Sequence, residues 1–433
     1  MKVLLIHPYL NGRGGSQRYA VEILNRFKSE RDIEVELFSY YYNPKSCYPD
    51  ILDISDVNAF FVEDSANVVM ESTMLSDFKV QFVSCLKRFR VIDLFIYFGL
   101  DYLYSFFNTF RNALRLTNFI ETTAKINDFD VIFCLEEPLS IYSASLLSQK
   151  YKKPLVWFCF DSIEKWYIDW SKYNNHILRS FLLRRLYFSF DKYLIKKSVN
   201  SIIVLDSRMQ FRVKKLYDIE ASIIRGGLPL SVIKKGNKRK LTKSVGEKII
   251  LNIGIVSRFA RARRLEDFLL VARRLITEDA WFNFYLNCPV TDHRYYNELM
   301  SDYHDVFQSK NVYLDVTPFA TDDELHNFYS KTDIFIFPNM YQTWGHAALE
   351  AMCFGCYTLV SNGCGISEVM LEDTVTVFKG GDIDDLYTKI KNIDLDNFSR
   401  IAKIQQAHVM ETFDWEVICK QYINLFKELC VES

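Results

Sequence analysis

Four arginines, Arg258, Arg261, Arg263 and Arg264, crowd the short stretch "SRFARARR" that follows the apolar run "NIGIV". Like charges this close repel unless something anionic meets them, and the forked guanidinium suits a pair of phosphates. A solvated basic surface would read the same way. A second cluster, "PNMYQTWGHAALEAMCFGC" from Pro338 to Cys356, follows the run "DIFIFP" and sets Gln342 eight positions before Glu350. Gly345 falls between them, where a helix should begin. Glycine there lets a ligand approach the backbone, and a helix start offers unpaired amides and a positive dipole end to negative groups. A carboxylate one to two turns into that helix can accept two vicinal hydroxyls, as a ribose presents them. Glu350 can equally be an ordinary helix residue. A third feature, "NGRGGSQ", places Gly12, Gly14 and Gly15 between a first apolar run, "KVLLIH", and the helical stretch "RYAVEILNRFKSE". It is not a G-x-G-x-x-G fingerprint, and the next strand, "VELFSYYY", lacks a terminal acid to hold a ribose, which argues against a nicotinamide dehydrogenase.

These loops need elements to position them. Apolar runs separated by helical segments recur along the first half: "KVLLIH", "IEVELFSYY", "DVIFCLE", "PLVWFCF" and "SIIVLD". Such alternation predicts a parallel sheet covered on both faces. Residues 66–125 read as a helical, aromatic insertion, including "VIDLFIYFGLDYLYSFFNTFRNALRL". "KKGNKRKLTKSVGEK" (234–248) is basic and almost free of large apolar residues, the composition of a linker. Alternation then resumes, with helices expected from about Leu265, Asp322 and Gly345. Thr321 and Glu324 have the spacing of a capping box. The expected organisation is an α/β chain of two doubly wound, Rossmann-like domains, 1–233 and 249–411, facing across a cleft. A last helical stretch, 412–433, follows.

Lysine and arginine (53) nearly cancel aspartate and glutamate (54), so nothing suggests a nucleic-acid partner. Aromatics reach 15%, suited to core, to sugar stacking or to a membrane interface. The stretch "LRSFLLRRLYFSFDKYLIKKS" sets basic residues beside an apolar stripe, as at an anionic membrane surface or on a solvated helix face. The ten cysteines lie mostly in apolar runs and point to a reducing, cytoplasmic setting. Cys353 and Cys356 form a C-x-x-C without a second ligand pair, so core packing is expected there rather than a metal. "MKVLLIHPYL" is too quickly polar for a signal peptide, and no apolar run is long enough to span a membrane. "DID" (382–384) and "DLD" (394–396) follow no clear apolar strand and read as surface loops.

Taken in order, these segments resemble the family-4 retaining glycosyltransferases of the GT-B fold, over nearly the whole chain. "GIVSRFARARRLEDFLLVARRL" is similar to that family's strand–loop–helix. The resemblance implies that Arg258 and Arg263 bind a nucleotide diphosphate. "DIFIFPNMYQTWGHAALEAMCFGCYTLVSNGCGISEV" resembles its E-x7-E segment and the following G-G-I-x-E, so Glu350 falls on the ribose-binding glutamate. Gly345, His346 and Ala347 match the loop that offers amides to phosphate and sugar. "GGSQR" resembles the family's first-domain glycine loop, which implies that Gly14 and Gly15 lie by the donor phosphates, and "FDWEVICKQYINLFKEL" resembles its final helix, which implies that 412–433 crosses back to the first domain. Two positions depart from the pattern. Gln342 stands where the family has a sugar-contacting glutamate; an amide still binds hydroxyls but carries no charge. "WFCFDS" resembles a W-x-C-H segment, with Phe160 at the histidine, so that role would pass to Asp161 or be absent.

The resemblance thus implies a retaining, metal-independent transferase with no cofactor beyond its nucleotide-sugar co-substrate. Arg258, Arg263, Gln342 and Asp161 would be its catalytic groups. The partner would be a glycan or lipid-linked acceptor, with peripheral contact at the cytoplasmic face of a membrane. A catalytically weak homologue that only binds a nucleotide-sugar or glycan is the alternative.

Overall fold

The computed structural model describes residues 1–12, 14–48, 58–64, 100–136, 138–160, 177–228, 244–245, 248–278, 282–317, 321–374 and 376–432. Asp161, residues 66–99 of the expected insertion and most of the expected linker lie outside them. The chain divides into two compact units, Met1–Ile224 with Cys419–Ser433, and Arg225–Ile418.

The first unit holds a seven-stranded sheet. Its strands are β1 (Lys2–Leu10), β2 (Glu34–Tyr42), β3 (Asn58–Asp64), β4 (Val131–Leu135), β5 (Leu155–Phe158), β6 (Ser201–Val204) and β7 (Ala221–Ile223). They run parallel in the order β3-β2-β1-β4-β5-β6-β7. Successive strand residues point to opposite faces. Val3 and Leu5 on one face of β1 and Leu4 and Ile6 on the other are all fully buried, so both faces are covered. That explains why these strands read as unbroken apolar runs instead of alternating ones.

The helix Gly15–Ser29 buries Tyr19, Ile23 and Phe27, one stripe at intervals of four. Leu100–Thr123 is helical, within the region expected to be a helical insertion. The helix Trp415–Glu432 belongs to this unit from Cys419 onward. Its Tyr422 hydroxyl meets that of Tyr19 at 2.6 Å, and Phe426 packs on Phe27 and Phe133.

In the second unit a short pair, β8 (Ser244–Val245) and β9 (Lys248–Ile249), precedes a six-stranded sheet. Its strands are β10 (Leu251–Val256), β11 (Phe282–Asn287), β12 (Val312–Asp315), β13 (Ile334–Phe337), β14 (Tyr357–Ser361) and β15 (Val377–Phe378). The order is β12-β11-β10-β13-β14-β15, again parallel throughout. Order reverses between β10 and β13. The loops leaving the carboxyl ends of those two strands therefore lie side by side, at the switch point where doubly wound sheets bind ligands.

Thr321 closes the capping box: its Oγ1 accepts from the Glu324 amide at 3.3 Å, and Glu324 Oε2 accepts from the Thr321 amide at 3.2 Å. One expectation is corrected. "DID" and "DLD" are helix starts, not loops: Asp382 caps Ile383–Lys391 and Asp394 caps Leu395–Thr412 through their side chains. Cys353 and Cys356 are buried; the Cys356 thiol donates to the Thr332 carbonyl, and burial pushes the Cys353 thiol up to about 12.

Candidate active site at the switch point of the second unit

β10 ends at Val256, and the chain crosses its carboxyl end through Ser257 and Arg258. A single turn, Arg261–Arg263, follows, and the next helix starts at Leu265. Arg264 links turn to helix in the left-handed region (φ 54°).

The four arginines have unequal fates. Arg261 is paired with Glu298, whose carboxyl it holds below the usual range. Arg264 is clamped by Asp267 (2.5 Å) and Glu266 (3.3 Å). Asp267 itself is buried, and burial raises its pKa against the pull of Arg264. Arg258, by contrast, is exposed and has no hydrogen bond or ion pair among the described residues. Arg263 is half-buried, and its Nη1 donates to the side-chain oxygen of Gln342, a neutral amide that cancels no charge. The cluster thus pairs Arg261 and Arg264 with acids close by, turns Arg263 to Gln342 and leaves Arg258 exposed.

The loop after β13 supplies the other wall. Asn339 is buried, with its amide within reach of Gln342 Oε1 and, turned over, 3.1 Å from the Arg263 carbonyl. Arg263, Gln342 and Asn339 form one knot between segments far apart in sequence. Gly345 then caps the helix His346–Cys353 with no side-chain bond. A Cβ at Gly345 would lie 3.0 Å from Ile366 and Phe337, so the helix start sits closer to the sheet than a larger residue allows. The amide of Ala347 has no acceptor among the described residues, and that of His346 starts the same turn, both aimed where an anion is favoured. Further along, Glu350 is half-buried, and the phenol of the fully buried Tyr329 donates to its Oε2 at 2.9 Å. Burial, with Glu350 beside it, holds Tyr329 far above the usual phenol range, so it remains a donor.

Five residues chosen from sequence, Arg258, Arg263, Gln342, Gly345 and Glu350, therefore stand on the two loops of one switch point and the helix that follows. Gly14 and Gly15 start the helix after β1 in the first unit; a Cβ at Gly14 would collide with Gln17, whereas one at Gly15 meets open space. Phe160 packs edge-on against Tyr19 (5.2 Å) and Phe158 (4.2 Å), a packing use for the residue at the family's histidine position. Asn339 and Tyr329 were not legible as site residues. Tyr329 sits on the apolar face of its helix like any core aromatic.

Residues 234–408 match the family of glycosyl transferases group 1. This stretch belongs to that family. Within the chain, 108 residues are 32% identical to the sulfoquinovosyl transferase SQD2 of Arabidopsis thaliana, covering 24% of this chain and 21% of that one. The chain thus matches about a fifth of that relative's length. Among solved structures, sucrose-phosphate synthase of Thermosynechococcus elongatus superposes with a TM-score of 0.68 at 13% identity over 100% of both chains. HepE of Anabaena in complex with UDP does so with 0.65 at 13%, covering 99% of this chain and 100% of that one. The fold is that of the GT-B glycosyltransferases. In the group 1 stretch, the arginine loop and the helix start at Gly345 occupy the carboxyl ends of adjacent parallel strands.

Proposed function

We propose that this chain is a retaining glycosyltransferase that moves a sugar from a nucleotide-sugar to an acceptor hydroxyl. The observation that carries the reading is the contact of Arg263 with Gln342 beside the uncapped helix start at Gly345. It joins a cationic loop, a polar side chain and the start of a helix, where the Ala347 amide has no acceptor among the described residues, at one switch point. In this reading Arg258 and Arg263 hold the diphosphate, helped by the His346 and Ala347 amides. Glu350, oriented by Tyr329, takes the ribose hydroxyls, and Gln342 takes the sugar. By the family resemblance, Gly14 and Gly15 are assigned to donor binding and Asp161 to catalysis. The UDP carried by a structural neighbour supports a nucleoside diphosphate as the leaving group.

In the reaction the bond from the sugar's anomeric carbon to the phosphate oxygen breaks. The acceptor oxygen bonds to that carbon on the same face, and its proton passes to the departing phosphate. Charge grows on the diphosphate as the bond breaks, and two arginines already in place stabilise it without reorganisation. No step calls for a metal. The acceptor is a glycan or a lipid-linked glycan; the exposed Phe107, Tyr193 and Phe211 of the first unit suit the latter, held at the cytoplasmic face of a membrane.

A second reading, donor binding without turnover, is favoured by one observation: Gln342 offers no carboxylate to a developing oxocarbenium ion. One experiment separates the two. A panel of nucleotide-sugars, with candidate acceptors, is scored for thermal stabilisation and for release of nucleoside diphosphate, on the wild type and on Arg263→Ala. Stabilisation with release, both lost in the variant, is expected. Stabilisation without release selects the second reading, and no response to any nucleotide-sugar removes both.

A further inference from the structure

Tyr341 has its backbone in the left-handed region (φ 61°), and its side chain is 76% exposed. For a bulky aromatic this conformation is disfavoured, because Cβ crowds the following carbonyl. It persists only where the surroundings impose it.

Here they do so at three consecutive residues. The Met340 amide donates to the Ala262 carbonyl at 3.1 Å, the Tyr341 amide to the Gly363 carbonyl at 2.8 Å, and the Gly365 amide to the Gln342 carbonyl at 2.8 Å. The Met340 side chain fills a notch that exists because residues 363 and 380 are glycines. A Cβ at either would lie 2.2 or 2.3 Å from Met340 Sδ. On the other side Gln342 is turned to Arg263. With both neighbours turned in, the residue between them projects its ring outward. That ring makes no aromatic contact, hydrogen bond or ion pair among the described residues, so no such contact offsets the strain.

We infer that Tyr341 is a stacking platform for a sugar ring. One face of a pyranose is a sheet of C–H bonds that fits an aromatic face, and the phenol adds a hydrogen bond. The inference deepens the proposed function and rests on it. There Gln342, next in the chain, holds the sugar, while the ribose partner Glu350 lies on the helix beyond, so the chemistry beside Tyr341 is that of the sugar end. The ring stacked on Tyr341 is that of the donor's sugar or of a sugar in the acceptor.

The test compares the wild type with Tyr341→Ala, Tyr341→Phe and Tyr341→Asn in the full chain. Three quantities are read: Kd for the nucleoside diphosphate, Kd for the nucleotide-sugar selected by the panel, and KM for the acceptor. The nucleoside diphosphate should bind all four within about twofold. Ala and Asn should raise one of the two sugar-dependent quantities by about fivefold or more, the scale of a stacked aromatic contact, and Phe should retain most of it. A rise in the nucleotide-sugar Kd assigns the donor sugar, and a rise in acceptor KM assigns the acceptor. Asn tolerates the left-handed region, so Tyr341→Asn should unfold at or above the wild-type temperature. A wild type that binds nucleotide-sugar while Ala and Asn leave both sugar quantities unchanged sinks this inference alone. So does a matching loss of nucleoside diphosphate affinity, or a Tyr341→Asn protein several degrees less stable than wild type. A wild type that binds no nucleotide-sugar removes the function and this inference together.

Discussion

Gln342 is one of two positions where the chain parts from the pattern it resembles, and its contact with Arg263 shows what the difference does to charge. A glutamate there would pair with Arg263 before any ligand arrived, and an incoming diphosphate would have to displace it. Partly exposed ion pairs are worth up to about 1 kcal/mol, or roughly fivefold in affinity. We expect Gln342→Glu to bind nucleoside diphosphate about two- to fivefold more weakly by calorimetry; equal or tighter binding would contradict the role given to the amide. The arginine cluster was plain in the sequence, and the diphosphate proposed for it follows from the chemistry of the guanidinium. The cluster's internal division was not plain, because that depends on where Glu298 and Asp267 reach in three dimensions. Nothing in the spacing of 258, 261, 263 and 264 separates a paired guanidinium from an unpaired one.

Among the elements, alternation of apolar runs with helical stretches was enough to foresee parallel sheets, and the capping box at Thr321 was legible because both partners lie within one turn. The Asp-x-Asp segments misled for the opposite reason. Read as isolated acidic pairs they suggested loops, but an aspartate just before a periodic stretch is a helix cap. Gly345 carries a double burden that sequence could only half supply. Its freedom at a helix start was expected; its confinement between Ile366 and Phe337 comes from strands and turns remote in the chain. Adding one methyl there forces a shift of a few tenths of an ångström into a packed wall, at a cost of about 1–3 kcal/mol for overpacking. Gly345→Ala should therefore lower the unfolding temperature and, by displacing the helix start, weaken nucleoside diphosphate binding as well. A variant with wild-type stability and affinity would show that the wall yields.

At the scale of the molecule, each unit has a core of its own, so unfolding need not be a single transition. The first unit carries an acid-sensitive element. His7 in β1 is fully buried, neither ring nitrogen has a hydrogen-bond partner among the described residues, and Glu136 Oε2 at 4.0 Å is too far to supply one. Burial lowers its pKa to about 3 from the ordinary 6.5. The unfolded chain therefore takes up a proton below about pH 6.5 that the folded chain refuses until about pH 3. Stability from this group is complete above the upper value and drains away as pH falls between the two. From pH 6.5 to 5 the loss should be about 1.6 kcal/mol. Urea unfolding at those two values should show it in the wild type, and His7→Gln should flatten the dependence. An equal slope in both would place the acid response elsewhere.

From Cys419 onward the helix Trp415–Glu432 completes a unit whose earlier part is Met1–Ile224. Tyr422 and Phe426, which close over Tyr19, Phe27 and Phe133, leave the ribosome only after the whole of Arg225–Ile418. At about 5–20 residues per second that interval lasts on the order of 10–40 s. The order of synthesis is therefore not the order of completion. The second unit can close first, while the earlier-made sheet waits with Phe27 and Phe133 uncovered, so the nascent chain offers a chaperone an apolar surface that the finished protein hides.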